Sequence, residues 1–398
     1  MAGLTFSPSR AEALQRLARF VPAAGRIYER ERNTDAGPEQ PSRVSLLSPY
    51  IRHRVITEYE ILAEVLADHS LSVAEKFVQE VLWRTYWKGW MEMRPSVWVR
   101  FLQERDRHRD SFHDQRAIAD AENGSTGIEG FDDWTKELVE TGYLHNHARM
   151  WFASIWIFTL RLPWTLGADF FLRHLLDADV ASNTLSWRWV AGLQTVGKTY
   201  LATTDNISRY TNGRFAPKGL AHEAIALTEP AVEPANNLAP LPPHDPLQPA
   251  LLLVTHDDMH PESIFKRDYD VRSTLVAADP DLLCGDGGRR FVTTLAKDMS
   301  ARALEHFDCP AHVINTLDVE TLITSANDAG VRHIITPYAP VGPVTEALAT
   351  LARPLAKEGI TLVRVQREWD RRFWPHAKKG FFAFKERMPD LLRESGLI

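Results

Sequence analysis

The chain has only two cysteines in 398 residues, Cys284 and Cys309. That count excludes a disulfide framework and any metal cluster made of cysteine alone, and it suits a reducing compartment. Long apolar runs are missing too. The stretch Met150 to Phe158 is too short to span a bilayer, and the opening MAGLTFSPSR lacks the charged-then-apolar order of a signal peptide. A cytoplasmic monomer without a membrane partner is expected. There is no excess of positive charge: the net charge is −6, which gives no global pull toward nucleic acid. Gly285, Gly287 and Gly288 do not form G-x-G-x-x-G between a strand and a helix, so the dinucleotide fingerprint is absent. No metal site is expected.

Tryptophan, by contrast, is abundant. Of twelve, ten precede residue 190 and two, Trp369 and Trp374, lie near the C-terminus. Core packing accounts for many of these. Charge is unevenly placed: residues 1–220 hold 27 Lys/Arg and 27 Asp/Glu, so the deficit lies beyond them. A local basic run (Arg26, Arg30, Arg32, Arg43, Arg52, Arg54) reads as a solvated surface or a phosphate-facing rim.

Eight prolines between Pro217 and Pro249 mark an extended linker. Before it, apolar residues recur with helical period at 57–68, 72–91, 131–141 and 143–160. Thr57 with Glu60 is a capping-box pattern. After it the period changes. Short apolar runs at 250–255, 273–278, 312–315, 332–336 and 361–366 read as strands, with helices at 291–307, 319–329 and 343–358. That alternation predicts a parallel sheet. The division is 1–216 helical, 217–249 linker and 250–398 α/β.

Three clusters in the helical part carry chemistry. Glu80, Trp83, Arg84 and Trp87 share one helix face, as do Asn146, Arg149 and Met150. Asp177 and Asp179 precede Asn183, Trp187 and Trp189. An acidic pair at a helix start is common, but charge interleaved with tryptophan is costly to bury unless something satisfies it. A large ligand of mixed polarity, such as a flavin, would do so.

The runs TGYLHNHARMW and DADVASNTLSWRW resemble the flavin-binding domain of the DNA photolyase and cryptochrome family, as do EVLWRTYW at 80–87 and the Ser-Pro-Tyr element at 44–50. The resemblance implies an all-helical photolyase-type FAD-binding domain followed by a Rossmann-like α/β domain, in the reverse of the usual family order. A circular permutation across the linker is therefore expected. It implies FAD as cofactor, held by Tyr28, by Val44, Ser45, Leu46, Leu47 and Ser48 around the phosphates, and by Arg84 and Arg149. Asp177, Ala178 and Asp179 would lie along the flavin ring and ribityl chain, and Asn183 would face ring nitrogen N5. Trp187 and Trp164 match two members of the family's electron-transfer chain. Trp83 and Trp189 match the pair that brackets the lesion. Glu80, Asn146 and Met150 match lesion-facing positions, and Arg32 and Trp87 join the DNA side. His145 and His147 fall off the catalytic-histidine positions of (6-4) enzymes. Tyr338 and prolines stand where a folate-antenna pocket would place an acid.

The implied function is blue-light repair of cyclobutane pyrimidine dimers in UV-damaged DNA, by electron transfer from reduced flavin. The alternatives are a cryptochrome-like photoreceptor and a flavoprotein with a non-photochemical redox or structural role.

Overall fold

The computed structural model describes residues 4–398. Before residue 250 the described chain contains helices and no strand: α1 (Arg10–Phe20), α2 (Arg26–Glu31), α3 (Ser48–Arg52), α4 (Glu58–Asp68), α5 (Leu71–Glu92), α6 (Ser96–Ser111), α7 (Gln115–Glu122), α8 (Phe131–Thr141), α9 (Asn146–Ser154), α10 (Trp164–His174), α11 (Val180–Val190) and α12 (Thr204–Tyr210). Thr57 caps α4 and exchanges hydrogen bonds with Glu60, which completes the capping box. The stretch expected as one helix over 143–160 begins three residues later, because His145 is the N-cap of α9. It also widens beyond Ser154, where the Leu160 N–H reaches back to the Ile155 carbonyl at 2.9 Å. That i→i+5 closure is a π-type turn rather than a continued α-helix.

Residues 217–249 form no helix or strand, yet they are strapped along the helical part. The Leu227 N–H donates to Ala191 and the Asn236 N–H to Met93, at 3.0 and 2.9 Å. Glu229 accepts from the buried guanidinium of Arg188 at 2.6 Å.

The strands β1 (Ala250–Val254), β2 (Val271–Ala277), β3 (Ala311–Ile314), β4 (His333–Pro337) and β5 (Thr361–Val365) form one parallel sheet in the order β3-β2-β1-β4-β5. Central β1 is buried along its length, as its unbroken ALLLV implies, whereas edge strand β3 has no fully buried residue. Helices α13 (Asp286–Phe307), α14 (Val319–Asp328) and α15 (Pro343–Lys357) connect the later strands, and α16 (Glu368–Phe373), α17 (Phe381–Glu386) and α18 (Met388–Glu394) follow the sheet. No helix among the described residues is long and apolar enough to cross a membrane.

The two parts share one hydrophobic core, and their seam is densely charged. Arg54 forms a two-pronged pair with Asp370 at 2.8 and 2.6 Å, with Asp258 3.5 Å away, all nearly solvent-free. Arg52 pairs with Asp257 at 2.6 Å. These two arginines are therefore not part of a phosphate-facing rim: the loop after β1 supplies carboxylates that draw them inward. Tyr338 donates to Glu92 at 2.8 Å, so the position after β4 is taken up by a contact with the end of α5. Gly285 presses on α10, since a Cβ there would sit 1.7 Å from the Arg173 carbonyl oxygen.

Candidate functional site

A cavity of about 700 Å³ opens among α2, α5, α9, α11 and the loop before α3. The helical periods explain its walls. The α5 face brings in Glu80, Trp83, Arg84 and Trp87, and the α9 face Asn146, Arg149 and Met150. Tyr28 and Arg32 come from α2 and its end. Val44, Ser45, Leu46, Leu47 and Ser48 form another wall, with Asp177, Asn183, Trp187 and Trp189 opposite. Leu46 holds φ at +55°, a left-handed conformation that is strained for a side chain with a Cβ and is concentrated at functional loops.

Three expected residues fall outside the cavity wall. Asp179 is the N-cap of α11, accepting from the Ser182 N–H at 2.8 Å, and its other oxygen faces Lys88 at 3.6 Å. Burial opposes its charge, but Lys88, Arg84 and Arg52 outweigh that and hold its pKa well below the usual carboxylate range. Ala178 turns its carbonyl to Arg52 Nε at 2.8 Å. Trp164 opens α10 and packs on Phe101, with ring centroids 5.7 Å apart. The rings around Trp187 are Phe171 at 5.1 Å and Trp156 and Phe152 at 6.3 Å, so its neighbouring indole is Trp156.

Charge in the cavity is organised around Asp177. Arg149 donates to it at 3.0 Å and is itself held by the Leu144 carbonyl at 2.8 Å. Burial works against the Asp177 carboxylate, but Arg149 and Arg84, with the Ser48 hydroxyl, keep its pKa below the ordinary value. Asn183 donates its amide to Ala168 at 2.8 Å, which leaves the side-chain oxygen as the acceptor on the cavity side. At the other end Glu80 pairs with Arg32 through Oε1. Burial raises the Glu80 pKa, with Arg32 offsetting only part of the rise.

Trp83 stacks on Phe381 of α17, centroids 3.5 Å and planes 11° apart. Trp189 lies against Tyr200 at 5.9 Å. Sequence reasoning missed the residues around Tyr200. His147, Tyr200, Asn206 and Tyr210 all line the cavity. His147 is engaged at both nitrogens, by the Asn33 carbonyl at 2.9 Å and the Tyr200 hydroxyl at 3.2 Å. The two tyrosines ten residues apart were the available signal, but no periodicity ties them to Trp189.

Several residues of the cavity wall keep a buried polar atom with no hydrogen-bond partner within the chain: Asp177 Oδ1, Arg84 Nη1, Ser182 Oγ and Trp187 Nε1. Unsatisfied polar groups on residues that line one cavity call for a polar guest. Their mixture of anion, cation, hydroxyl and indole suits a ligand with a heteroaromatic ring, hydroxyls and phosphates. The donor set therefore fits FAD.

Residues 77–215 match the family model described as the FAD binding domain of DNA photolyase. A deoxyribodipyrimidine photo-lyase of Alkalihalophilus pseudofirmus is 32% identical over 176 residues, 44% of this chain and 36% of that protein. A protein named cryptochrome DASH from Natronomonas pharaonis is 30% identical over 176 residues, 42% of this chain and 36% of that one. Among solved structures, a bacterial class III photolyase from Agrobacterium tumefaciens is 26% identical and covers 52% of this chain and 43% of that chain, with a TM-score of 0.44. The chain thus spans little more than a third of the length of the two curated relatives. Residues 77–215 of the helical part thus match the FAD binding domain of DNA photolyase, and FAD is the cofactor of this domain.

Proposed function

We propose that the protein uses blue light and reduced FAD to split cyclobutane pyrimidine dimers in UV-damaged DNA. The observation that carries this reading is the lining of a single cavity. Its Asp177–Arg149–Asn183 end matches the chemistry of a flavin ring, and its Glu80–Trp83–Asn146–Met150–Trp189 end matches that of an extruded pyrimidine pair. FAD, when bound and reduced, would supply the electron that opens the dimer ring and take it back afterwards. The chain does the positioning. Arg149 keeps Asp177 ionised, and Asn183 presents a fixed acceptor where N5 would lie. Trp187 stands as the nearest indole donor for reducing the flavin. Trp83 and Trp189 bracket the flipped bases, whose extrusion is cheap because the lesion already weakens stacking. Glu80, with a raised pKa and Oε2 free of the Arg32 pair, offers a hydrogen bond to a pyrimidine edge. Residues 1–216 would be the flavin unit and 250–398 its α/β companion, joined by 217–249 in permuted order.

Asn146 and Met150 favour the cyclobutane lesion. An amide bonds a dimer carbonyl and a thioether packs on its apolar edge, but neither titrates near neutral pH to serve oxygen transfer. Burial lowers the His147 pKa, and the bond to the Asn33 carbonyl offsets only part of that. The test is chromatography of two defined oligonucleotides after illumination of the reduced protein. Cyclobutane dimers should be restored and (6-4) products left intact; repair of the (6-4) strand refutes the assignment. A photoreceptor role is the second reading, favoured by the Arg32 pair that occupies Glu80. Repair of neither strand would select it.

A further inference from the structure

The segment from Lys378 to Lys385 lies against the cavity wall from outside, and the reading above gives its exposed face no task. It is tied to α5 and the turn that follows it at several points. Arg94 donates to the Lys378 carbonyl and the Tyr86 hydroxyl to the Lys379 carbonyl, each at 2.8 Å. Phe381 is stacked on Trp83, and Lys385 pairs with Glu75 at 2.8 Å. These ties hold the segment rigidly while Lys378, Lys379, Gly380, Phe382 and Ala383 face outward. Phe382 is 80% exposed. A single exposed apolar side chain is ordinary. Here it is flanked by two ammonium groups without a carboxylate partner among the described residues, and its neighbour in the chain backs the Trp83 indole.

The charge elsewhere around the cavity sharpens the point. Arg30 and Arg43 pair with Glu31 and Arg32 with Glu80, while Arg52 and Arg54 are buried in the seam. Most of the expected basic rim is thus neutralised internally. We propose that Lys378, Lys379 and Phe382 form a platform for the nucleic-acid strand that leads away from the cavity, with the lysines on its phosphates and Phe382 stacked on a base beside the extruded pair. An aromatic face beside free cations is the combination that single strands bind without regard to sequence. This inference rests on the cavity being the lesion site. It assigns part of substrate binding to the α/β part of the chain.

The experiment compares the full-length flavoprotein with Phe382→Ala, Phe382→Trp and the double variant Lys378→Ala/Lys379→Ala. The probe is a short single-stranded oligonucleotide carrying one thymine dimer. Affinity is read in the dark by fluorescence anisotropy over a range of salt, and repair rate is read at saturating oligonucleotide. Phe382→Ala should weaken binding roughly tenfold, with flavin content and saturated repair rate unchanged. Phe382→Trp should retain the affinity. The lysine double variant should flatten the slope of log affinity against log salt by about 1.4, at roughly 0.7 per phosphate contact. Affinity and slope within twofold of the parent in both alanine variants would overturn the platform while leaving a repairing parent as proposed. Equal loss in Phe382→Trp and Phe382→Ala would also overturn it, because stacking would not be the cause. A parent that binds through these residues but repairs nothing would sink the repair reading and leave the platform standing.

Discussion

Gly167 lies inside α10 directly behind Trp187. A Cβ at this position would lie 2.3 Å from Trp187 Cη2, 2.6 Å from Cζ3 and 3.0 Å from Trp156 Cδ2. Carbon atoms settle about 3.5–4.0 Å apart, so Gly167→Ala obliges the indole to retreat by about 1.2 Å. Phe171, Trp156 and Phe152 box the ring on its packed sides, which leaves the cavity as the direction of retreat. Overpacking of this kind costs about 1–3 kcal/mol, against about 1 kcal/mol gained from replacing a helical glycine with alanine. The expected net change is a loss of ~0–2 kcal/mol in folding stability. FAD affinity should fall at least tenfold, because the ring now enters the volume the flavin needs. Apoprotein titrated with FAD, followed by quenching of flavin fluorescence, reads the second effect; urea unfolding reads the first. A variant more stable by about 1 kcal/mol with undiminished FAD affinity would refute the reasoning, since the indole would then have room that the packing denies it.

Asp177→Asn removes the negative charge opposite Arg149 and turns one of the two carboxylate acceptors into an NH2 donor. A hydrogen bond to a charged group contributes about 1.5–3 kcal/mol, so FAD should bind ten- to a hundredfold more weakly, and a change under twofold would reduce Asp177 to an anchor for Arg149. Trp187→Phe should slow light-driven flavin reduction while flavin remains bound, because phenylalanine keeps most of the shape but is harder to oxidise; an unchanged rate with external reductant removes Trp187 from the path. Arg54→Met strands Asp370 and Glu58 in the dry seam, while Asp258 keeps its pair with Arg367, and should cost about 3–5 kcal/mol in denaturant unfolding, much of it recovered by adding Asp370→Leu. His260 sits between Glu60 at 3.4 Å and Glu262 at 3.2 Å, with Arg10 and Arg302 on the far sides of those carboxylates. Burial opposes the His260 charge, but the two glutamates outweigh it and raise its pKa above 6.5. Its stabilisation is therefore complete below pH 6.5 and lost as pH rises through the higher folded value. His260→Gln should flatten that part of the stability–pH curve, and an unchanged curve would place the titration elsewhere.

Legibility from sequence follows the range of the interaction. The faces of α5 and α9, the capping box at Thr57 and the five strands repeat over a few residues, so periodicity reveals them, and both helix faces do meet across the cavity. Asp179 was misplaced because a carboxylate at a helix start has two uses, and capping prevailed where Lys88 approached from another helix. Arg52 and Arg54 look like solvated cations in a local window. Their partners lie 205 and 316 residues away, and no local pattern encodes such a pairing. Trp156, on the widened turn after α9, is an indole beside Trp187 that no sequence pattern singled out, because the register of that turn depends on tertiary packing. Tyr200 and His147 find each other through a loop whose path has no period to read.

The Arg54–Asp370 pair also sets a clock on synthesis. The two residues are 316 positions apart. At about 5–20 residues per second, the ribosome takes roughly 15–60 s to deliver the second after the first. During that interval the helical half can collapse around its apolar face, but Arg52 lacks Asp257 and Arg54 lacks Asp258 and Asp370. The nascent chain therefore carries a cationic, water-seeking groove until its last strands emerge. Ribosome-stalled chains ending near residue 249 should accordingly be digested readily by protease, and chains extended past Asp370 should resist.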